Sequence, residues 1–410
     1  MRDSRPPSTR VEPTLHRHSL TCTAPRDPQL KAMSQLPIKW TGTFGIGKTV
    51  RNVICNKRDQ VDGKYRDCHP CKVTFMSQST AEEKRLKAAE KEKCKDKWAE
   101  ELDYTGLDGE SYAVVEKAVD ERTIGHNPER MSLLKAGIVY TNAVTTVSPS
   151  YREETLGGGG GWLNKTLTTY RTKYSGVLNA IDTASWDPRR DMCLPTRYGS
   201  VSEDGKALCK EYVRRGLGLD VPEDGERVPL LVCVSRLVPQ KGVHLIRHAA
   251  ARAEAMGAQF VLLGSGHLAG EFEGLAAEMR EGGAGRCLLM YNDALSHFLY
   301  AAADVVLVPS MFEPCGLTQM VAQRYGAAPL VRRTGGLADT VVDVDADPAA
   351  GTGFVFDGAG EGDIEGALQR AISMYKEREE QWSALADRCM AVDNSWARSA
   401  EEYVKLYRGM

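Results

Sequence analysis

From residue 229 onward the chain alternates short apolar runs with helical patterns, and that alternation leaves few folds open. The runs 229–235, 259–263 and 286–290 have strand length and apolar character, whereas 243–256, 270–279 and 294–303 carry helical spacing. Strands separated by helices of this size are βαβ units, so the spacing predicts a parallel α/β sheet with right-handed crossovers.

The series leads into 304–319, Asp-Val-Val-Leu-Val-Pro-Ser-Met-Phe-Glu-Pro-Cys-Gly-Leu-Thr-Gln. Four apolar residues after Asp304 predict a strand buried on both faces, stopped by Pro309 and Pro314, with Gly316 opening a helix over 317–325. Open α/β sheets place ligands at such a turn. Backbone N–H groups from Cys315 onward would point at an anion, with Glu313 the one charged side chain in the turn. An ordinary strand-to-helix connection looks the same, so the turn alone does not decide. After the first strand of this region, Ser235-Arg236-Leu237-Val238-Pro239-Gln240-Lys241-Gly242 puts two cations on the same rim. Arg236 can grip phosphate oxygens as a fork and Lys241 adds a mobile point charge. Solvated surface cations fit equally. Tyr291, just past the third strand, offers a face for a base or serves as plain interfacial packing. Gly264-Ser265-Gly266 is a weak nucleotide-loop signal and reads better as a tight turn. Asp343-Val344-Asp345 could hold a divalent cation, but just before Pro348 it reads better as a solvated loop.

At 410 residues, with hydrophobic and charged fractions of 42% and 26%, the chain has room for two or three ordinary globular domains. A net charge of −2 gives no electrostatic case for nucleic acid or an anionic membrane, and no apolar run is long enough to cross a bilayer. Eleven cysteines are scattered, some inside apolar stretches, which predicts buried thiols in a reducing compartment. The first 35 residues are rich in Arg, Ser, Thr and Pro; an organelle transit peptide and a disordered extension both fit. Gly42-Thr43-Phe44-Gly45-Ile46-Gly47-Lys48-Thr49 matches a phosphate-loop pattern, but no buried strand precedes it, and a flexible loop fits better. Cys68-His69-Pro70-Cys71 has metal or redox spacing without a second pair at zinc-finger distance. Lys and Glu dominate 80–102, a solvated helix or linker. Beyond it, 127–140 reads as an amphipathic helix and 144–149 as a buried strand ended by Pro149. Five glycines at 157–161 predict a mobile loop.

Phe312-Glu313-Pro314-Cys315-Gly316-Leu317-Thr318-Gln319, followed by Arg324-Tyr325-Gly326 and Arg332-Arg333-Thr334-Gly335-Gly336-Leu337-Ala338-Asp339-Thr340, resembles the C-terminal half of bacterial glycogen synthases and plastid starch synthases. The resemblance runs from about Leu102 to the C-terminus and is nearest the soluble starch synthases. It implies a GT-B-like α/β architecture. On that resemblance, residues 102–178 would be a partial N-terminal Rossmann-like domain, 179–385 a complete C-terminal Rossmann-like nucleotide-sugar domain, and 386–410 a crossover helix, with 1–101 unmatched.

By resemblance, 177–183 is the hinge strand and Asn179 a sugar or phosphate contact. Arg236 and Lys241 hold the diphosphate, Tyr291 lies against adenine, Glu313 stands beside the donor sugar, and the amides of Cys315, Gly316, Leu317 and Thr318 face glucose and diphosphate. No metal or other cofactor is implied, only ADP-glucose as donor and an α-1,4-glucan as acceptor, with retention at the anomeric carbon and a plastid setting. The family also carries a Lys-x-Gly-Gly-Leu loop near the start of its first domain, which nothing before Gly137 matches. A truncated nucleotide- or glucan-binding scaffold is therefore the rival expectation, and a phosphate-loop ATPase a third. The chain as given is expected to bind ADP but to elongate glucan poorly.

Overall fold

The computed structural model describes residues 132–223 and 226–410. The readings of 1–101, of the phosphate-loop pattern at 42–49, of Cys68 and Cys71, and of 127–131 lie outside the described residues.

Helix α1, Leu133–Tyr140, starts at Ser132, whose hydroxyl accepts the Lys135 N–H at 3.2 Å. Strand β1, Val144–Thr146, is half-buried and shorter than the buried strand expected at 144–149. Pro149 does not merely stop it. It opens helix α2, Pro149–Glu154, where its missing N–H costs nothing, and Ser148 caps the Tyr151 N–H. The glycine run is not an irregular loop. Residues Thr155–Gly159 wind a π-type turn kinked at Gly158, whose φ is 120°, and Gly161–Leu163 a 3₁₀ turn that leads into α3, Asn164–Thr169. A β-carbon on Gly159 or Gly160 would meet the Glu154 or Thr155 carbonyl at 2.8 or 2.7 Å, so only glycine can wind this tightly. Asn164 closes the turn by donating to the Thr155 and Leu156 carbonyls at 2.8 and 2.9 Å. Strand β2, Tyr174–Gly176, pairs in parallel with β1. The hinge strand expected at 177–183 is not a strand; beyond Gly176 that stretch has one bridge, Ile181 to Ser395.

The stretch 201–227 is mostly polar in sequence, yet it contains α4, Asp204–Leu217, ended by Gly218 at φ 65°. Its buried side combines Cys209 and Val213 with Lys210 and Arg214, and cations on an inward face hide the helical period. The chain then runs β3 (Leu230–Arg236), α5 (Val243–Arg252), β4 (Gln259–Ser265), α6 (Glu273–Glu281), β5 (Gly285–Leu288), α7 (Asp293–Ala302), β6 (Val305–Val308), α8 (Thr318–Arg324), β7 (Ala328–Arg332), α9 (Gly335–Thr340) and β8 (Phe354–Phe356). Helices α10 (Glu361–Glu377), α11 (Glu379–Ala391) and α12 (Trp396–Arg408) follow. Helix α11 runs across the boundary drawn at 385/386, and the last helix begins only at Trp396.

Strands β3 to β8 form one parallel sheet in the order β5-β4-β3-β6-β7-β8. Leu231, Cys233, Phe260, Leu262, Val305 and Leu307 enter the core on one face; Leu230, Val232, Val261, Leu263, Val306 and Val308 enter the core on the other. Burial on both faces is why these strands are continuous apolar runs. The strand order reverses between β3 and β6: the chain moves outward through β4 and β5, then returns to the other side of β3. Neighbouring crossovers diverge at such a switch point and leave a crevice at the carboxyl ends of the strands.

Candidate donor-binding site

A cleft of about 310 Å³ opens there, within the size range of small-molecule sites. Its lining includes Ser235 and Arg236 from the end of β3, Val308 to Ser310 from the end of β6, Tyr291 after β5, and Thr318 at the start of α8. Gly242, at φ 67°, makes the junction possible, because a β-carbon there would sit 2.1 Å from the Pro309 carbonyl. A backbone bond stitches the two loops together, Met311 N–H donating to the Gln240 carbonyl at 2.8 Å, and the Arg332 side chain braces the second loop by donating Nη1 to the Met311 carbonyl at 2.9 Å.

Of the residues singled out in the sequence, Arg236, Lys241, Tyr291 and Thr318 line this one cleft. Arg236 is exposed and Tyr291 is 82% exposed, so both are free to meet a ligand. Glu313 is buried behind the lining. Its carboxylate pairs with Lys241 Nζ and accepts the Ser310 hydroxyl at 2.9 Å. Asn179, Cys315, Gly316 and Leu317 are outside the lining. The Asn179 backbone bonds the Cys315 sulfur, and burial pushes the Cys315 thiol up to about 11, so it packs as a neutral group at ordinary pH. Leu317 is half exposed, away from the lining.

Sequence inspection missed one wall of the cleft. Trp186 stacks on His297 with centroids 4.0 Å apart and planes 9° from parallel; His297 Nδ1 lies 2.7 Å from Asp191 Oδ2, and the Tyr325 hydroxyl donates to the same oxygen. Burial pushes the Asp191 carboxyl up, but hydrogen bonds from Tyr325, the Cys193 N–H and His297 outweigh it and hold it below the ordinary range. Donor atoms of Asp191, Cys193 and His297 lie within 4.8 Å of one another. A 2.7 Å hydrogen-bonded pair is closer than two ligands on one zinc, which stand roughly 3.3 Å apart for bonds of about 2.0–2.1 Å. The cluster is a hydrogen-bonded support behind Trp186, which alone of this group lines the cleft. Trp186 lies in a stretch without periodicity, so no local signal marks it.

The acidic stretch after Val342 is also spoken for. Arg370 bonds Asp343 at 3.1 Å and pairs with Asp345. Asp343 is lowered although burial works against it, because bonds from Arg370 and from the Val355 and Asp345 N–H groups prevail. The six cysteines among the described residues are free thiols.

If a base lies on Tyr291, Tyr291→Ala is expected to weaken ADP binding by roughly 1–3 kcal/mol and inorganic pyrophosphate binding hardly at all. Titration calorimetry with both ligands checks this; equal losses would count against stacking.

The sheet, its switch-point cleft and the cations at its rim define a glycosyltransferase fold of the GT-B class. The described catalytic domain of starch synthase IV from Arabidopsis thaliana, solved bound to ADP and acarbose, superposes with a TM-score of 0.68 at 43% identity, over 74% of this chain and 62% of that one. Within the class, the chain's resemblance is to starch and glycogen synthases. Residues 221–386 match the family "Glycosyl transferases group 1", and 91–169 match "Starch synthase catalytic domain". The probable chloroplastic/amyloplastic starch synthase 4 of Arabidopsis thaliana is 46% identical over 287 residues, 68% of this chain. A glycogen synthase of Protochlamydia amoebophila is 39% identical over 330 residues, 76% of this chain. The chain spans 27% of the first relative's length and 64% of the second's.

Proposed function

We propose that the cleft binds ADP-glucose and that the chain serves retaining transfer of its glucose to the non-reducing end of an α-1,4-glucan. The observation that carries this is the convergence of Arg236, Lys241, Tyr291 and Thr318 on one cleft at the switch point. Tyr291 takes the adenine, Arg236 and Lys241 take the diphosphate, and Glu313 with the turn that follows takes the glucose side. Lys241 neutralises buried Glu313 before a ligand arrives; a diphosphate then shares that cation, which offsets part of the cost of bringing two more negative charges near the carboxylate. Stabilising the departing diphosphate with fixed cations and amides lowers the barrier without a metal. Same-face displacement, with the leaving diphosphate helping to remove the acceptor proton, gives retention.

Every lining residue falls between Trp186 and Thr318, so among the described residues the cleft is built from one side. Contacts made only in the transition state depend on both sides of a closed cleft. Donor binding is the part of the reaction that the described residues support directly. Calorimetry with ADP and ADP-glucose, then incubation with labelled ADP-glucose and glycogen beside an intact synthase, tests it. One-to-one binding of both nucleotides and transfer of label from ADP-glucose to glycogen are expected; no ADP binding would overturn the donor site, and binding without any transfer of label would overturn the transferase reading. Among the described residues no helix is long and apolar enough to cross a membrane. The chloroplastic relatives support a plastid setting.

A further inference from the structure

Helix α2 reaches the back of the turn that carries Glu313. Ser148, fully buried at its N-cap, donates its hydroxyl to the Pro314 carbonyl at 2.6 Å. At the other end of α2, Glu154 Oε1 accepts the Gly335 N–H at 2.7 Å and the Thr334 hydroxyl at 3.0 Å. Between them Ser150 gives its N–H and hydroxyl to the two carboxylate oxygens of Asp339, at 2.8 and 2.7 Å. The start of α9 lies directly on the turn: Gly336 N–H donates to the Glu313 carbonyl at 3.0 Å. A β-carbon on Gly335 would stand 2.0 Å from that carbonyl, and one on Gly336 would stand 2.1 Å from the Cys315 carbonyl. The Glu313 turn is thus clamped from two directions by one short helix, through partners 166 to 181 residues away.

We propose that Glu154 and Ser148 are positioning residues for the sugar end of the donor site. Neither lines the cleft. Each fixes a carbonyl or amide of the peptide units around Glu313 and Cys315, so their effect falls on the glucose side, while the nucleotide side rests on Arg236 and Tyr291 across the cleft. This rests on the donor assignment above and adds to the machinery α2, of which sequence inspection read only Pro149, as a strand end.

The test uses the full chain with Glu154→Ala and Glu154→Gln, read by amide hydrogen exchange and by calorimetry with ADP and with ADP-glucose. In Glu154→Ala, exchange at 315–318 and 335–337 is expected to accelerate about tenfold or more, as loss of a charge-assisted hydrogen bond allows. ADP-glucose affinity is expected to fall more than ADP affinity. Glu154→Gln keeps an acceptor oxygen for Gly335 and Thr334, so it should restore most of both. Unchanged exchange in the turn, or an equal loss for the two nucleotides, overturns the proposal. Failure of the unaltered chain to bind ADP overturns the donor assignment instead, and the exchange comparison still decides whether Glu154 holds the turn.

Discussion

Arg236→Ala and Lys241→Ala are each expected to weaken ADP binding by about 1.5–3 kcal/mol, the usual range for a hydrogen bond to a charged group, yet only Lys241→Ala should also destabilise the fold. Arg236 stands exposed at the end of β3, makes no ion pair among the described residues, and supports nothing around it. Lys241 is different because it answers a buried carboxylate. Without it Glu313, 7% exposed, retains the Ser310 hydroxyl but loses its cation. Removing one partner of a buried pair costs about 3–5 kcal/mol, because the remaining charge is left desolvated. Adding Glu313→Gln to Lys241→Ala should recover most of that stability and none of the ADP affinity. Calorimetry and denaturant unfolding on the three variants and the parent chain separate the two effects. Unchanged affinity in both single variants would remove the phosphate assignment, and equal stability of Arg236→Ala and Lys241→Ala would remove the distinction between them.

A loss of stability as large is expected at Lys210→Met, far below the cleft. Asp304 stands at the start of β6, with its carboxylate 2.5 Å from Lys210 Nζ and accepting the Leu230 N–H at 2.6 Å. Its backbone joins the neighbours on both sides: Asp304 N–H donates to the Leu230 carbonyl at 3.0 Å, and the Ala328 N–H donates to the Asp304 carbonyl at 2.8 Å. One residue ties the starts of β3, β6 and β7. Methionine matches the length of lysine and takes from the buried carboxylate the cation that pairs with it directly, so the cost should again be about 3–5 kcal/mol. Lys210→Met with Asp304→Asn removes the charge and keeps an acceptor for Leu230, so most of the loss should return. A denaturant midpoint for Lys210→Met indistinguishable from the parent would show that the pair contributes nothing. Because β3 and β6 flank the crevice, the same unfolding followed at Trp186 should report the cleft and the sheet melting together.

What could be read locally was read correctly in kind. The apolar run after Asp304, the turn with its two prolines and the helix beyond are β6, its connection and α8, displaced by a residue at each end of the helix. Strands β3 and β4 and helix α5 were equally plain, because burial on both faces of a parallel sheet leaves nothing polar in the strand and a clear stripe on the helix. Errors came where local pattern and tertiary demand diverge. Five glycines signal freedom, yet at 157–161 they are the residue that permits a wound turn pressed against the Glu154 and Thr155 carbonyls. Helix α4 was hidden because its inward face carries Lys210 and Arg214, cations tolerated only since Asp304 and Gln259 stand opposite.

The sequence by itself determined the alternating parallel architecture, the strand-to-helix turn at Glu313 and the cations that follow β3, because side-chain period and turn chemistry act over a few residues. Only the tertiary structure decided that the strand order reverses between β3 and β6, and with it that Arg236, Lys241, Tyr291 and Thr318 share one cleft. It also decided that Trp186 backs onto His297, that Lys241 answers Glu313, and that Glu154 holds the start of α9. Each of these pairs joins residues between 72 and 181 positions apart in the chain. A charged or aromatic side chain looks the same in sequence whether it faces water or a partner; which it meets is set by the sum of burial over both faces of the sheet, and no local window contains that sum.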